Sequence, residues 1–321
     1  MRVGLVLSGG GGKGAYEIGV WKAIKELNMD KYIKVVSGTS IGAINAALFA
    51  QDDFEEAKKM WQEVTIEKLL PVNNKVLIRK GLTLAIGSKN MNLVKKYMTK
   101  KLEQGDIPRD GAKEIIEKYI NIDKLKKSNK ICYVSCTEMP EFSAKYFKIN
   151  DYEEERARSI LLATACLPMI YESEEIGGKT YLDGGLVDNT PIKPVYEEGC
   201  DIIIVVLLSR EVKIRREDFP DAKIIELIPS DMETKILDGL LNLDKESKNK
   251  RIQRGYYDTK NLLEPIFEMA RYQYKEELER QAMDKELQEL EEKNKESWIA
   301  RNTRRIKRKL GINKFNKPYV K

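Results

Sequence analysis

Two strand-turn-helix units follow one another within residues 1–50, and this succession constrains the fold more than any other feature of the chain. Residues 3–7 (VGLVL) form a short, wholly apolar run, the tract GGGGKG fills residues 9–14, and Ile18, Trp21, Ile24 and Leu27 then recur at helical spacing. The pattern repeats. Residues 32–36 read as a buried strand, residues 37–42 (SGTSIG) as a tight small-residue turn, and residues 43–50 as good helix formers. Consecutive units of this kind join through right-handed crossovers into a parallel sheet, whose ligand sites lie beyond the carboxyl ends of the strands. The expected fold is therefore α/β, a mainly parallel central sheet flanked by helices, with both small-residue turns on the same functional edge.

Further along, residues 54–64 and 91–102 read as helices, and the Gly- and Asn-containing stretch between them as a cap. Residues 130–137 and 143–149 read as strands with Pro140 in the connecting turn, and residues 153–164 as a helix stopped near Pro168. A Gly177-Gly178 turn follows, and residues 202–208 form a buried strand. The sequence divides into an α/β domain, residues 1–230, and a charged helical extension, residues 231–321. The formal charge of +6 belongs to the end of that extension: residues 297–321 carry nine Lys or Arg and no acidic residue, leaving 48 basic against 51 acidic residues elsewhere. There Trp298, Ile299, Ile306 and Leu310 punctuate a basic helical pattern. Such a helix suits an anionic lipid surface, nucleic-acid phosphates, or packing back onto the body.

The chain contains no histidine. A Ser-His-Asp or Cys-His triad is excluded, as is an imidazole-ligated metal. Any hydrolase built on this sequence moves protons with carboxylates, lysine, tyrosine or water. The cysteines Cys132, Cys136, Cys166 and Cys200 form no CxxC pair and read as reduced structural thiols. The first residues lack the uninterrupted apolar core of an export signal, and the longest purely apolar run, residues 202–208, is far shorter than the ~20 residues of a membrane span. A cytoplasmic location with contact at a membrane surface is the expectation.

Three stretches carry chemistry. Gly38-Thr39-Ser40-Ile41-Gly42 matches GxSxG between an expected strand and helix, as a nucleophile elbow requires. Gly38 and Gly42 flank the serine because a Cβ there would collide with neighbouring chain. The glycine tract at residues 9–14 presents consecutive backbone N–H groups at the start of a helix and so favours something anionic, a phosphate or an oxyanion. It fails as a Walker loop, since Lys13 precedes Gly14 and Leu7 stands at the leading glycine position. Gly9, Gly11 and Gly14 satisfy GxGxxG, but the second strand runs into Ser37-Gly38-Thr39-Ser40 where a dinucleotide site wants an acidic residue, and Asp30 sits at the strand's wrong end. The third stretch is Asp183-Gly184-Gly185. With no imidazole available, Ser40 needs a carboxylate base, and partial burial is what would raise an aspartate to that task.

Taken together, GGGGKG, GTSIG, the stretch ATACLP at residues 163–168 and DGG resemble, in that order and over residues 1–208, the patatin-like phospholipase family. The resemblance implies a Ser-Asp dyad on an α/β fold that hydrolyses lipid acyl esters, with Ser40 as nucleophile and Asp183 as base. It also implies an oxyanion hole made by the amides of Gly10, Gly11 and Gly12, joined by that of Ile41, and Lys13 at a position where the family carries Arg or Lys. No metal or organic cofactor is implied, so turnover should persist in chelator. The implied partner is a phospholipid or other lipid ester, with residues 297–321 as a peripheral contact to anionic membrane and no nucleic acid expected. Two other readings stand beside it: a nucleotide-binding α/β protein using residues 9–14, and a non-enzymatic membrane or nucleic-acid adaptor using the basic tail.

Overall fold

The computed structural model describes residues 2–71, 99–231, 239 and 241–310. Strands β1 (Val3–Leu7) and β2 (Ile33–Thr39) bracket helix α1 (Ala15–Glu26), and α2 (Ile41–Ala50) and α3 (Phe54–Glu63) follow. Short helices α4 (Ile66–Leu69), α5 (Thr99–Glu103), α6 (Asp110–Tyr119) and α7 (Ile122–Lys127) lead to β3 (Ile131–Met139) and β4 (Ser143–Lys148). Next come α8 (Glu154–Thr164), β5 (Glu174–Ile176), β6 (Lys179–Asp183), α9 (Ile192–Glu197), β7 (Ile202–Val206) and β8 (Lys223–Leu227). A long helix, α10 (Lys245–Lys309), ends the described chain. Of the expected cap only residues 65–71, with α4, are described; the rest of it, and all but the last residues of the helix expected over 91–102, lie outside the described residues.

The strands form one sheet in the order β5-β6-β3-β2-β1-β7-β8, with β4 on β3. β3, β2, β1, β7 and β8 run parallel, whereas β6 and β4 pair with β3, and β5 with β6, antiparallel. The mainly parallel α/β fold read from the sequence is thus the fold observed. β1 is buried along its whole length and β7 beyond its first residue, as strands covered on both faces must be. Helix α2 is apolar apart from Asn45, and every residue from Gly42 to Ala50 is buried, so it is an internal helix packed between sheet and outer helices.

β2 extends three residues past the expected strand, to Thr39, and confines the turn to Ser40. The cause is lateral: Leu7 of β1 pairs with Gly38, and Ser135 of β3 pairs with Thr39, so neighbouring strands hold small residues that have little β preference of their own. The Gly177-Gly178 turn joins β5 to β6 with both glycines at positive φ, 62° and 77°, as a two-residue hairpin loop requires.

By contact the chain divides into two compact units, Met1–Leu262 and Leu263–Lys321. The first therefore runs past Ser230 and takes in the start of α10. In the second, the described part of α10 exposes Ile266, Met269, Leu278, Leu287, Leu290 and Trp298. No helix among the described residues is long and apolar enough to cross a membrane.

Candidate active site

Strand β3 brings the site together. Its first half pairs with β2, ending at Thr39↔Ser135, and its second half pairs with β6, starting at Cys136↔Asp183. β4 pairs with residues 133–138, overlapping both, and must occupy the opposite edge of β3. β2 and β6 therefore share one edge and meet end to end, so the residue after Thr39 arrives beside Asp183. That residue is Ser40.

Ser40 sits in the turn between β2 and α2 at φ 55° and ψ −128°, a left-handed conformation uncommon for a side chain other than glycine. The strain is imposed by packing. A Cβ on Gly38 would lie 2.2 Å from the Gly42 carbonyl oxygen, and one on Gly42 would lie 2.4 Å from that of Leu7, so the turn closes only with glycine at both positions. Thr164 locks it further: its Oγ1 accepts the Ser40 N–H at 2.8 Å and donates to the Ser135 carbonyl at 2.6 Å.

Asp183, 4% exposed, ends β6. Its Oδ1 accepts the Gly185 N–H at 2.8 Å, and its own N–H donates to the Cys166 carbonyl at 3.0 Å. Oδ2 is enclosed and accepts no hydrogen bond of good geometry among the described residues, while the Ser40 hydroxyl approaches the carboxyl closely enough to favour its ionised form. Burial is the larger effect. It pushes the carboxyl up from 3.8 to about 6, against the opposing pull of Ser40 and the Gly185 amide. A carboxylate so raised is a far better proton acceptor near neutral pH than an exposed aspartate.

The stretch at residues 163–168 thereby acquires a physical role, since Thr164 binds Ser40 and Cys166 binds Asp183. Cys166 is pushed up to about 12 and Cys136 well above its ordinary value, both chiefly by burial, so neither thiol near Asp183 is readily ionised to a thiolate.

The glycine loop packs over the elbow. A Cβ on Gly9 would reach 3.3 Å from the Ser40 Cβ, and one on Gly14 2.8 Å from Ile41. Asn189 holds Gly9 on both sides, accepting its N–H on the backbone carbonyl at 3.1 Å and donating Nδ2 to its carbonyl at 3.0 Å. Because C=O and N–H point oppositely across a trans peptide, this bond turns the Gly10 N–H away from Asn189. Among the described residues, no protein acceptor outside the loop takes the N–H of Gly10, Gly11 or Gly12.

Behind the loop lies a buried polar chain that the sequence reading missed. The Asn45 amide donates to the Gly14 carbonyl at 3.1 Å and to Glu17 Oε2 at 2.7 Å, and accepts the Trp61 indole N–H at 2.9 Å. Burial raises the Glu17 carboxyl well above its ordinary value, against the lowering pull of the Asn45 amide. These residues lie inside helices whose apolar periodicity conceals them, and no short motif marks them. Thr164, by contrast, stands within the stretch 163–168 that the sequence reading singled out, and Asn189 follows Asp183-Gly184-Gly185 by four residues.

The chain is similar in sequence and in fold to known proteins. The lysophospholipase nte1 of Aspergillus terreus is 27% identical over 217 residues, covering 64% of this chain and 12% of its own. The lysophospholipase NTE1 of Saccharomyces cerevisiae is 27% identical over 208 residues, covering 64% and 10%. The chain thus spans about an eighth or less of the length of these curated relatives. The crystal structure of VipD from Legionella pneumophila superposes with a TM-score of 0.51 at 15% identity, over 82% of this chain and 67% of that one, a likeness of fold. The profile of patatin-like phospholipase matches residues 5–196, which contain the elbow, the loop and Asp183, and on that match the chain belongs to the patatin-like phospholipase family.

Proposed function

We propose that this protein is a lipid acyl hydrolase, of phospholipase A or lysophospholipase type, working through a Ser40-Asp183 dyad. One observation carries the reading: a hydroxyl on a strained turn and a buried carboxyl raised toward neutrality meet where β2 and β6 abut on β3. Ser40 Oγ attacks the ester carbonyl carbon while Asp183 takes its proton. The carbonyl oxygen becomes an oxyanion against the amides of Gly10, Gly11, Gly12 and Ile41; removing one such donor typically raises the barrier by about 2.7–4 kcal/mol. Collapse breaks the acyl–alcohol bond, and protonated Asp183 returns the proton to the leaving alkoxide. Water then attacks the acyl-Ser40 ester, giving its proton to Asp183, and collapse frees the fatty acid as Ser40 recovers its hydrogen.

The glycine loop's position over Ser40 favours an oxyanion hole above a nucleotide phosphate site. The substrate class follows the names of the relatives, and the basic residues of 297–321 supply peripheral attraction to an anionic, cytoplasm-facing lipid surface. The test is labelling with a fluorophosphonate followed by peptide mapping, with lysophospholipid hydrolysis measured in parallel. Modification at Ser40, lost in Ser40→Ala along with turnover, is the expected result. A labelled residue elsewhere, or wild-type turnover in Ser40→Ala, overturns the dyad.

A further inference from the structure

We propose that Arg251, at the start of α10 and beyond the matched residues 5–196, is a positioning residue for the oxyanion loop. The inference rests on the hydrolase reading above and makes the first turns of the C-terminal helix part of its machinery.

Arg251 is 8% exposed, and its Nη1 donates to the Gly12 carbonyl at 3.0 Å and to the Asn242 carbonyl at 2.6 Å. The other face of that peptide continues the chain of bonds: the Lys13 N–H donates to the Gly10 carbonyl at 3.1 Å. Across the next trans peptide, the Gly11 N–H points away from Lys13. A buried cation is thus linked through two peptide groups to one of the amides assigned to the oxyanion, and each polarised bond strengthens the next. The cation also places fixed positive charge behind the loop, where charge develops on the substrate.

The helix is held in the register this requires. It crosses α1 at backbone contact, since a Cβ on Gly19 would lie 1.9 Å from the Ile252 carbonyl oxygen and one on Gly255 2.0 Å from that of Tyr16. One turn before Arg251, buried Lys248 donates to the Val64 carbonyl at 2.6 Å and fixes the same helix to the end of α3.

The experiment compares full-length wild type with Arg251→Met, Arg251→Lys and Arg251→Ala on a soluble nitrophenyl ester, with turnover expressed per fluorophosphonate-titrated serine. Arg251→Met should lower kcat about 10- to 100-fold with KM within about twofold, because a displaced donor weakens the transition state rather than substrate binding. Arg251→Lys should retain more turnover than Arg251→Met, and added guanidinium should restore part of the rate in Arg251→Ala. Unchanged kcat per titrated serine in a folded Arg251→Met, or in Arg251→Lys and Arg251→Ala together if Arg251→Met does not fold, overturns the inference. Amide exchange over residues 9–14 separates this failure from failure of the hydrolase reading. Should the wild type neither label nor turn over, that reading falls, and loop exchange unchanged by the substitutions overturns the positioning role as well, whereas faster exchange confined to the loop upholds it.

Discussion

Replacing Asp183 by asparagine should abolish ester cleavage and yet make the folded protein more stable above neutral pH. The carboxyl is buried, and its folded value of about 6 lies well above the ordinary 3.8. The folded state therefore holds the proton more tightly than the unfolded chain. Its contribution is fully favourable below 3.8, is lost as pH rises through the folded value, and leaves above it a constant penalty for an ionised group out of water. The difference between the two values converts to about 3 kcal/mol at pH 8, of which about half has accrued by pH 5. Asparagine does not titrate and keeps an acceptor for the Gly185 amide, so it escapes the penalty. Urea unfolding of both proteins at pH 4, 5 and 8 reads the effect: the stability gap in favour of Asp183→Asn should widen with pH, with m-values alike. The same titration should appear in wild-type kcat/KM, rising with pH through about 6 to a plateau as the base ionises. A gap that stays flat or narrows with pH, or a rate profile level between pH 5 and 8, would refute the assignment of a buried proton acceptor.

Ser40→Gly should be inactive but more stable by about 1 kcal/mol in thermal unfolding, because glycine adopts the φ of 55° without strain. Thr164→Val removes the acceptor of the Ser40 N–H and the donor to Ser135 at constant shape; a loss of about 1–3 kcal/mol together with a lowered kcat is expected from unfolding and steady-state rates. Trp61→Phe orphans the buried Asn45 oxygen and should lower stability by a similar ~1–3 kcal/mol, measured by urea midpoint. Deleting residues 297–321 should leave hydrolysis of a soluble short-chain ester intact and reduce sedimentation with anionic vesicles; joint loss of both would tie that segment to the site.

Local signals made the first half of the fold readable. Wholly apolar runs such as VGLVL mark strands covered on both faces, and small-residue turns between strand and helix mark the elbow and the loop. The pattern at residues 37–42 was nonetheless assigned to a turn, because strand pairing with β1 and β3, invisible in a single segment, extends β2 to Thr39. The charge of α10 hid its role in a different way. Lys248 and Arg251 look like members of a solvated helix, and only the glycine crossing with α1 buries them against Val64 and Gly12.

By itself the amino-acid sequence determined the chemistry on offer: an elbow serine, a glycine-rich anion cradle, an aspartate before two glycines, and no imidazole to mediate between them. Backbone freedom and side-chain type are properties of single residues, so they can be read one segment at a time. Tertiary structure decided that Ser40 and Asp183 meet, because that depends on two strands sharing one edge of β3 across more than a hundred residues of intervening chain. It also decided that the carboxyl is raised. The shift comes from the exclusion of water by all the elements packed around it, and no stretch of sequence carries that on its own.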